Sequence, residues 1–88
     1  MRLKAKRDAN ETAIIEALHA MGVTVYHISV PGLPDLLPFY RGRWRTPIEV
    51  KGRRGRLTPA QEKTMAATPF SIVRTVDEVL ALVEDWCR

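Results

Sequence analysis

Apolar positions along the 88-residue chain change period several times, and each change marks an element. Ile14, Ile15, Leu18 and Met21 recur at helical spacing and form one stripe. They predict a first helix from about Asp8 to Met21, stopped by Gly22 as a C-terminal cap. Val23 to Val30 is rich in β-branched residues and reads as a strand, broken by Pro31-Gly32-Leu33-Pro34. Asp35 to Tyr40 reads as a second strand. Arg41-Gly42-Arg43 turns it back into an antiparallel third strand, about Trp44 to Lys51. Pro47 stands in tension with that third strand, since proline removes a ladder donor.

Gly52 to Arg56 reads as a flexible basic loop. Thr58-Pro59-Ala60-Gln61 then opens a second helix. Thr58 suits the N-cap, Pro59 the first turn and Gln61 the reciprocal capping position. Phe70 to Arg74 is a fourth short strand. Thr75 to Glu78 forms another capping box, ahead of a helix with Val76, Val79, Leu80 and Val83 at helical spacing. The expected architecture is a single mixed α/β domain over residues 1–88 with a small central sheet, preceded by a basic arm at residues 1–7.

Charge sharpens this outline. The chain carries 14 Lys+Arg against 10 Asp+Glu, a net +4. Residues 1–7 hold four positive charges, residues 41–56 hold seven against Glu49 alone, and residues 75–88 hold four negatives against one positive. A basic middle with an acidic tail suits a polyanion bound on one face. The same residues could also form a solvated basic loop. Cys87 is the one cysteine, so an intrachain disulfide is excluded and a reducing compartment is the simplest reading. Cys87 itself reads as a packing residue near the end of an apolar helix. No apolar run nears the roughly 18 residues of a membrane span, and the basic N-terminus lacks the apolar core of a secretory signal. The expectation is a soluble cytoplasmic protein.

Carboxylates carry the candidate chemistry. Glu49 and Lys51 lie two apart in a strand and share a face, while Ile48 and Val50 leave the other. On a solvent-facing strand such a pair would be a weak salt bridge. Asp35 opens the strand expected to pair with that of Glu49, so the two carboxylates can approach and would then need a cation between them. The alternative for Asp35 is a turn aspartate bonding its own backbone. Glu11 sits on the apolar side of the first helix, where a carboxylate needs a partner or a metal. It could instead answer Asp8 in a capping box. Gln61 is explained either by its capping box or by a place near the site. His19 and His27 have no companions at metal-ligand spacing, which argues against zinc. Gly52 to Arg56 lacks the Gly-Lys-Ser/Thr ending of a nucleotide-binding phosphate loop. A helix carboxylate, a strand-start aspartate, a Glu-x-Lys strand and a basic loop together suit metal-assisted phosphodiester hydrolysis.

Pro34-Asp35, then Glu49-Val50-Lys51 after thirteen intervening residues, resembles the PD-(D/E)XK nuclease signature. With Gly32-Leu33-Pro34-Asp35-Leu36-Leu37 ahead of it and Leu57-Thr58-Pro59-Ala60-Gln61 behind, the chain looks like a small stand-alone VRR-NUC domain of phage or viral type. That resemblance implies a restriction endonuclease-like αβββαβ core with an added C-terminal helix. It implies Mg²⁺ or Mn²⁺ held by Asp35, Glu49 and the Val50 carbonyl, with Glu11 joining directly or through water. Lys51 would be the catalytic lysine, and Gln61 falls where the family keeps a polar residue near the site. The implied activity is that of a metal-dependent DNA endonuclease selective for branched DNA such as Holliday junctions or flaps. It would act as a homodimer, with replication or repair proteins as companions. Arg41, Arg43, Arg53, Arg54 and Arg56 are the candidate DNA contacts, and the loop is richer in arginine than the resemblance accounts for. The rival readings are a non-catalytic nucleic-acid-binding module on the same fold and a small protein docking an acidic partner.

Overall fold

The computed structural model describes residues 9–88; the basic arm and Asp8 lie outside the described residues. The elements are α1 (Ala9–Ala20), β1 (Thr24–His27), β2 (Leu36–Tyr40), β3 (Arg43–Trp44), β4 (Ile48–Val50), α2 (Pro59–Ala67), β5 (Ser71–Val73) and α3 (Val76–Trp86). They form a small mixed α/β fold with a five-stranded sheet in the order β1-β2-β4-β5, and β3 pairs with β2 beside β4. The β1–β2, β2–β3 and β2–β4 pairings are antiparallel. The β4–β5 pairing is parallel, with α2 lying between those strands in sequence.

The expected third strand is two. Arg45–Pro47 separates β3 from β4, and proline chemistry explains the break. Pro47 has no N–H to donate, so it precedes β4 rather than lying within it, while its carbonyl still accepts from Ser71 N at 2.8 Å. Pro38, fully buried in β2, likewise donates nothing but accepts from Arg45 N at 2.8 Å.

α1 ends in a Schellman motif. Gly22 at φ +85° lets its own N–H reach the His19 carbonyl, and lets Val23 N reach the Leu18 carbonyl, each at 3.0 Å. Leu18 and Val23 are both buried, which supplies the apolar contact that accompanies this cap.

The core lies on one face of the sheet. Ile14 and Leu18 of α1 and Val79 and Val83 of α3 pack there with Leu36, Tyr40, Ile48 and Val73. Of the α3 stripe, Val76 and Leu80 remain exposed, whereas Leu82 and Trp86 pack against the core. Cys87 is exposed rather than packed, with its Sγ 3.5 Å from the Tyr40 hydroxyl. That contact and burial hold the Tyr40 phenol above its ordinary 10.0. No helix among the described residues is long and apolar enough to cross a membrane.

Side chains alternate along a strand. Because Leu36, Pro38 and Tyr40 face the core, Asp35, Leu37 and Phe39 face the other way. Ile48 pairs with Leu36, so Glu49 falls on that second face as well. The candidate site is built there.

Candidate metal and nucleic-acid site

Asp35 stands at the entrance of β2, where the Pro31–Pro34 bend returns the chain to the sheet. Its backbone carbonyl accepts from Ile28 N at 2.7 Å, pinning the bend to the end of β1. Its side chain does not bond its own turn: Oδ2 accepts from Val50 N at 3.1 Å. The N–H and C=O of one residue in an extended strand leave the same edge. The Val50 carbonyl therefore faces the Asp35 side, while its neighbour Lys51 donates its N–H to the Val73 carbonyl at 3.1 Å on the other edge.

Glu49 is 3% exposed, so the solvent-facing salt bridge is ruled out as an account of it. Its Oε2 lies 3.2 Å from the Lys51 ammonium, both side chains being largely enclosed. Its Oε1 is buried with no hydrogen-bond partner among the described residues. Burial raises the Glu49 carboxyl above its ordinary 4.5, and the negative charge of Asp35 raises it further. The Gln61 amide and the Lys51 ammonium offset part of that rise. An enclosed carboxylate with an orphan oxygen and a second carboxylate beside it is an arrangement that a cation would relieve.

Lys51 is fixed from several sides. Besides the Glu49 pair and the Val73 bond, its carbonyl accepts from Asn10 Nδ2 at 3.0 Å, which ties α1 to the end of β4. Gly55 folds over its stem, and a Cβ at Gly55 would stand 3.3 Å from Lys51 Cδ. The adjoining Gly52 carbonyl accepts from Arg74 Nη1 at 2.6 Å. Sequence patterns did not single out Asn10, Gly55 or Arg74; the one signal for Asn10 was its place beside Glu11 on the first turn of α1. Asn10→Ala is expected to cost about 1 kcal/mol in urea unfolding. Asn10→Asp should not restore it, because an ionised carboxylate cannot donate to a carbonyl.

Gln61 caps α2 and also lies beside Glu49. Its Oε1 accepts from Thr58 N at 3.0 Å and its own N–H donates to Thr58 Oγ1 at 3.1 Å, completing the capping box. The residue is buried, with its amide near Glu49. In the second capping box only half forms as expected. Thr75 Oγ1 accepts from Glu78 N, while Glu78 reaches past Thr75 to Arg74 N.

Glu11 is half-buried on the first turn of α1, where it has interactions of its own. No three His, Cys, Asp or Glu side chains among the described residues gather into a group that could hold a metal ion, so Glu11 does not cluster with Asp35 and Glu49. Arg41, Arg43, Arg53, Arg54 and Arg56 are all exposed. Beside Asp35 and Gln61 opens a groove of about 490 Å³, walled by Ile28 to Leu33 on one side and by Thr58 and Ala60 on the other. That volume lies within the range of small-molecule and nucleotide clefts. No family model, curated protein or solved structure matches this chain.

Proposed function

We propose that this chain is a metal-dependent DNA endonuclease of the VRR-NUC type, hydrolysing phosphodiester bonds on branched DNA. The observation that carries this reading is the buried, orphaned Oε1 of Glu49 beside Asp35 and Lys51. A carboxylate buried only for stability would have its oxygens satisfied, and a binding module needs the arginines but not this enclosed acid.

Asp35, Glu49 and the Val50 carbonyl would hold Mg²⁺ or Mn²⁺, which bind through one or two carboxylates together with water and substrate phosphate. Glu11, outside the pair, would take part through water. The ion supplies neutralisation of phosphate charge and acidified water. The protein's share of the work is positioning. Val50 N–H orients the Asp35 carboxylate, Gln61 and Lys51 favour the ionised form of Glu49, and the Asn10 and Val73 contacts aim Lys51. The Lys51 ammonium would stabilise negative charge building on phosphate or orient the attacking water. The arginine loop follows directly and would track the backbone on either side of the cleaved bond. Two copies related by a two-fold axis would present two such sites to two strands.

The test is a panel of flap, fork, four-way junction, linear duplex and single-stranded DNA with Mg²⁺, Mn²⁺ or EDTA. Cleavage that requires a divalent ion and is lost in Lys51→Ala is the expected outcome. Wild type and Lys51→Ala both binding DNA and both inert would replace this reading with the binding module. Tight protein capture with no DNA binding at low salt would replace both.

A further inference from the structure

Arg74 lies just past β5 and is half-buried. The parallel register of β4 and β5 pairs Glu49 with Ile72 and Val50 with Val73. Carried one residue further, that register sets Arg74 beside Lys51. The Arg74 side chain reaches from β5 toward the exit of β4, where Nη1 donates to the Gly52 carbonyl at 2.6 Å, one residue beyond Lys51. Two cations therefore stand together at this end of the sheet. The hairpin arginines do not join them. Arg43, paired with Tyr40, stands at the other end of β2 on the core face, with Arg41 against the Tyr40 ring.

A guanidinium is more than the bond to Gly52 requires. Gly52 O already accepts from Gly55 N at 3.1 Å, so that carbonyl is satisfied within its own turn. The adjoining Lys51 carbonyl is held by a neutral amide, Asn10 Nδ2, at 3.0 Å. Arginine carries five N–H donors in a planar fork, and Gly52 takes one of them. Among the described residues no other acceptor bonds the Arg74 side chain, and no carboxylate lies within ion-pair distance of it. Glu78 accepts from the backbone N–H of Arg74 rather than from its side chain. Gly52 also leaves room there, since a Cβ on it would meet nothing within 4 Å. A guanidinium fixed by one bond, unpaired by acid and bordered by open space has the chemistry of an oxyanion receptor.

We propose that Arg74 is a DNA-binding residue of this site, its guanidinium taking the non-bridging oxygens of a phosphodiester next to the one at the acids. The proposal rests on the nuclease reading for the role of Asp35, Glu49 and Lys51, and adds to that site the group that sets the strand's register on it. Arg74 differs in kind from the arginine loop. Arg53, Arg54 and Arg56 are exposed and supply attraction to any phosphate within reach. Arg74 is held in place before DNA arrives, so it receives a phosphate at one position, and phosphate contacts of that kind position the strand.

The experiment is a double-mutant cycle between protein and phosphate. Fluorescein-labelled four-way junctions carry one neutral methylphosphonate at a time, moved along one strand through the branch. They are titrated in EDTA with the full chain, wild type and Arg74→Gln, and followed by anisotropy. Arg74→Gln should bind the unmodified junction about tenfold more weakly, the loss of one charged hydrogen-bonding group. Its salt slope should lessen by about 0.9. At one position the methylphosphonate should weaken the wild type by a similar factor and leave Arg74→Gln nearly unchanged. At the other positions the two proteins should respond alike. Arg74→Lys should keep the salt slope and lose part of the affinity, because the charge stays and the fork goes. Equal penalties in wild type and Arg74→Gln at every position would make Arg74 a clamp of the loop and overturn the proposal. If Arg74→Gln fails to fold, the wild type decides. Phenylglyoxal labelling read by mass spectrometry should find Arg74 modified in the unbound protein and protected by the junction, and equal labelling in both overturns the proposal. So does an absence of junction binding at low salt. Cleavage with Mn²⁺ is scored separately. An inert wild type with a coupled phosphate removes the nuclease reading and leaves Arg74 a phosphate contact, whereas an active wild type with no coupled phosphate does the reverse.

Discussion

Glu49→Gln is expected to abolish metal-dependent cleavage, by about a thousandfold or more, while making the metal-free protein more stable. The two effects have one cause. Glu49 is enclosed with Oε1 unpartnered, and its carboxyl is raised by burial and by Asp35. When the folded form of an acid holds its proton more tightly than the unfolded form, ionisation favours unfolding. Below the ordinary 4.5 both states are protonated and Glu49 costs nothing. As pH rises above that value the unfolded chain ionises first, and the folded state loses stability until its own raised pKa is passed. The wild-type melting temperature in EDTA should therefore carry a downward contribution from Glu49 across this window, absent in Glu49→Gln. At neutral pH the variant should gain about 1 kcal/mol, in the range of relieved functional strain, since a glutamine oxygen still accepts from Lys51. Cleavage has the opposite pH dependence. A proton on Glu49 competes with the cation, so the acid limb of activity should lie above 4.5 and move down as Mn²⁺ is raised. A variant that fails to fold, or melts lower than wild type in EDTA at neutral pH, would make Glu49 a structural residue.

Arg53, Arg54 and Arg56 replaced together by alanine should weaken binding on every DNA sequence alike. If the wild type neutralises about six phosphates, its affinity should fall about a thousandfold between 50 and 200 mM salt. With three contacts removed, the same interval should cost only about fortyfold, and the slope should lessen by about 2.7. All three side chains are exposed, and the loop is shaped by a backbone bond from Gly55 N to Gly52 O and by the Arg74 guanidinium donating to Gly52 O, neither of which uses them. The fold should survive intact, which circular dichroism and urea unfolding can verify. An unchanged slope would move the phosphate contacts elsewhere, to Arg41 and Arg43 or to the basic arm.

Much of this was legible in the sequence where the determinants are local. The stop at Gly22, the Thr58–Gln61 capping box and the Arg41-Gly42 hairpin each depend on residues within a few positions of one another. Pro47 likewise marked the weak point of the third strand, though not that β3 and β4 would be separate. Strand alternation placed Glu49 and Lys51 together but on a face that pattern alone would leave in water. Their enclosure comes from α2, the Gly55 loop and Gln61, which return to that face from later in the chain. Asp35 bonds Val50, fifteen residues away, instead of its own turn, and Asn10 reaches Lys51 across 41 residues. Such contacts depend on how elements dock, and no periodicity encodes them. Arg74 escaped notice for the same reason: it reaches Gly52 across 22 residues, and the two become neighbours only when β4 and β5 pair.

The bend before Asp35 meets α2 closely at Gly32. Gly32 takes φ +86°, and a Cβ there would stand 3.3 Å from Ala60 Cβ. The groove beside Asp35 and Gln61 is thus hinged on two of the smallest residues, and its aperture is set by backbone against methyl rather than by adjustable rotamers. Ala60 is exposed on the groove's wall, so bulk added at position 60 stands at the groove's mouth. Enlarging that one side chain is therefore the most direct means of narrowing what the groove admits, without touching an acid, a cation or an arginine.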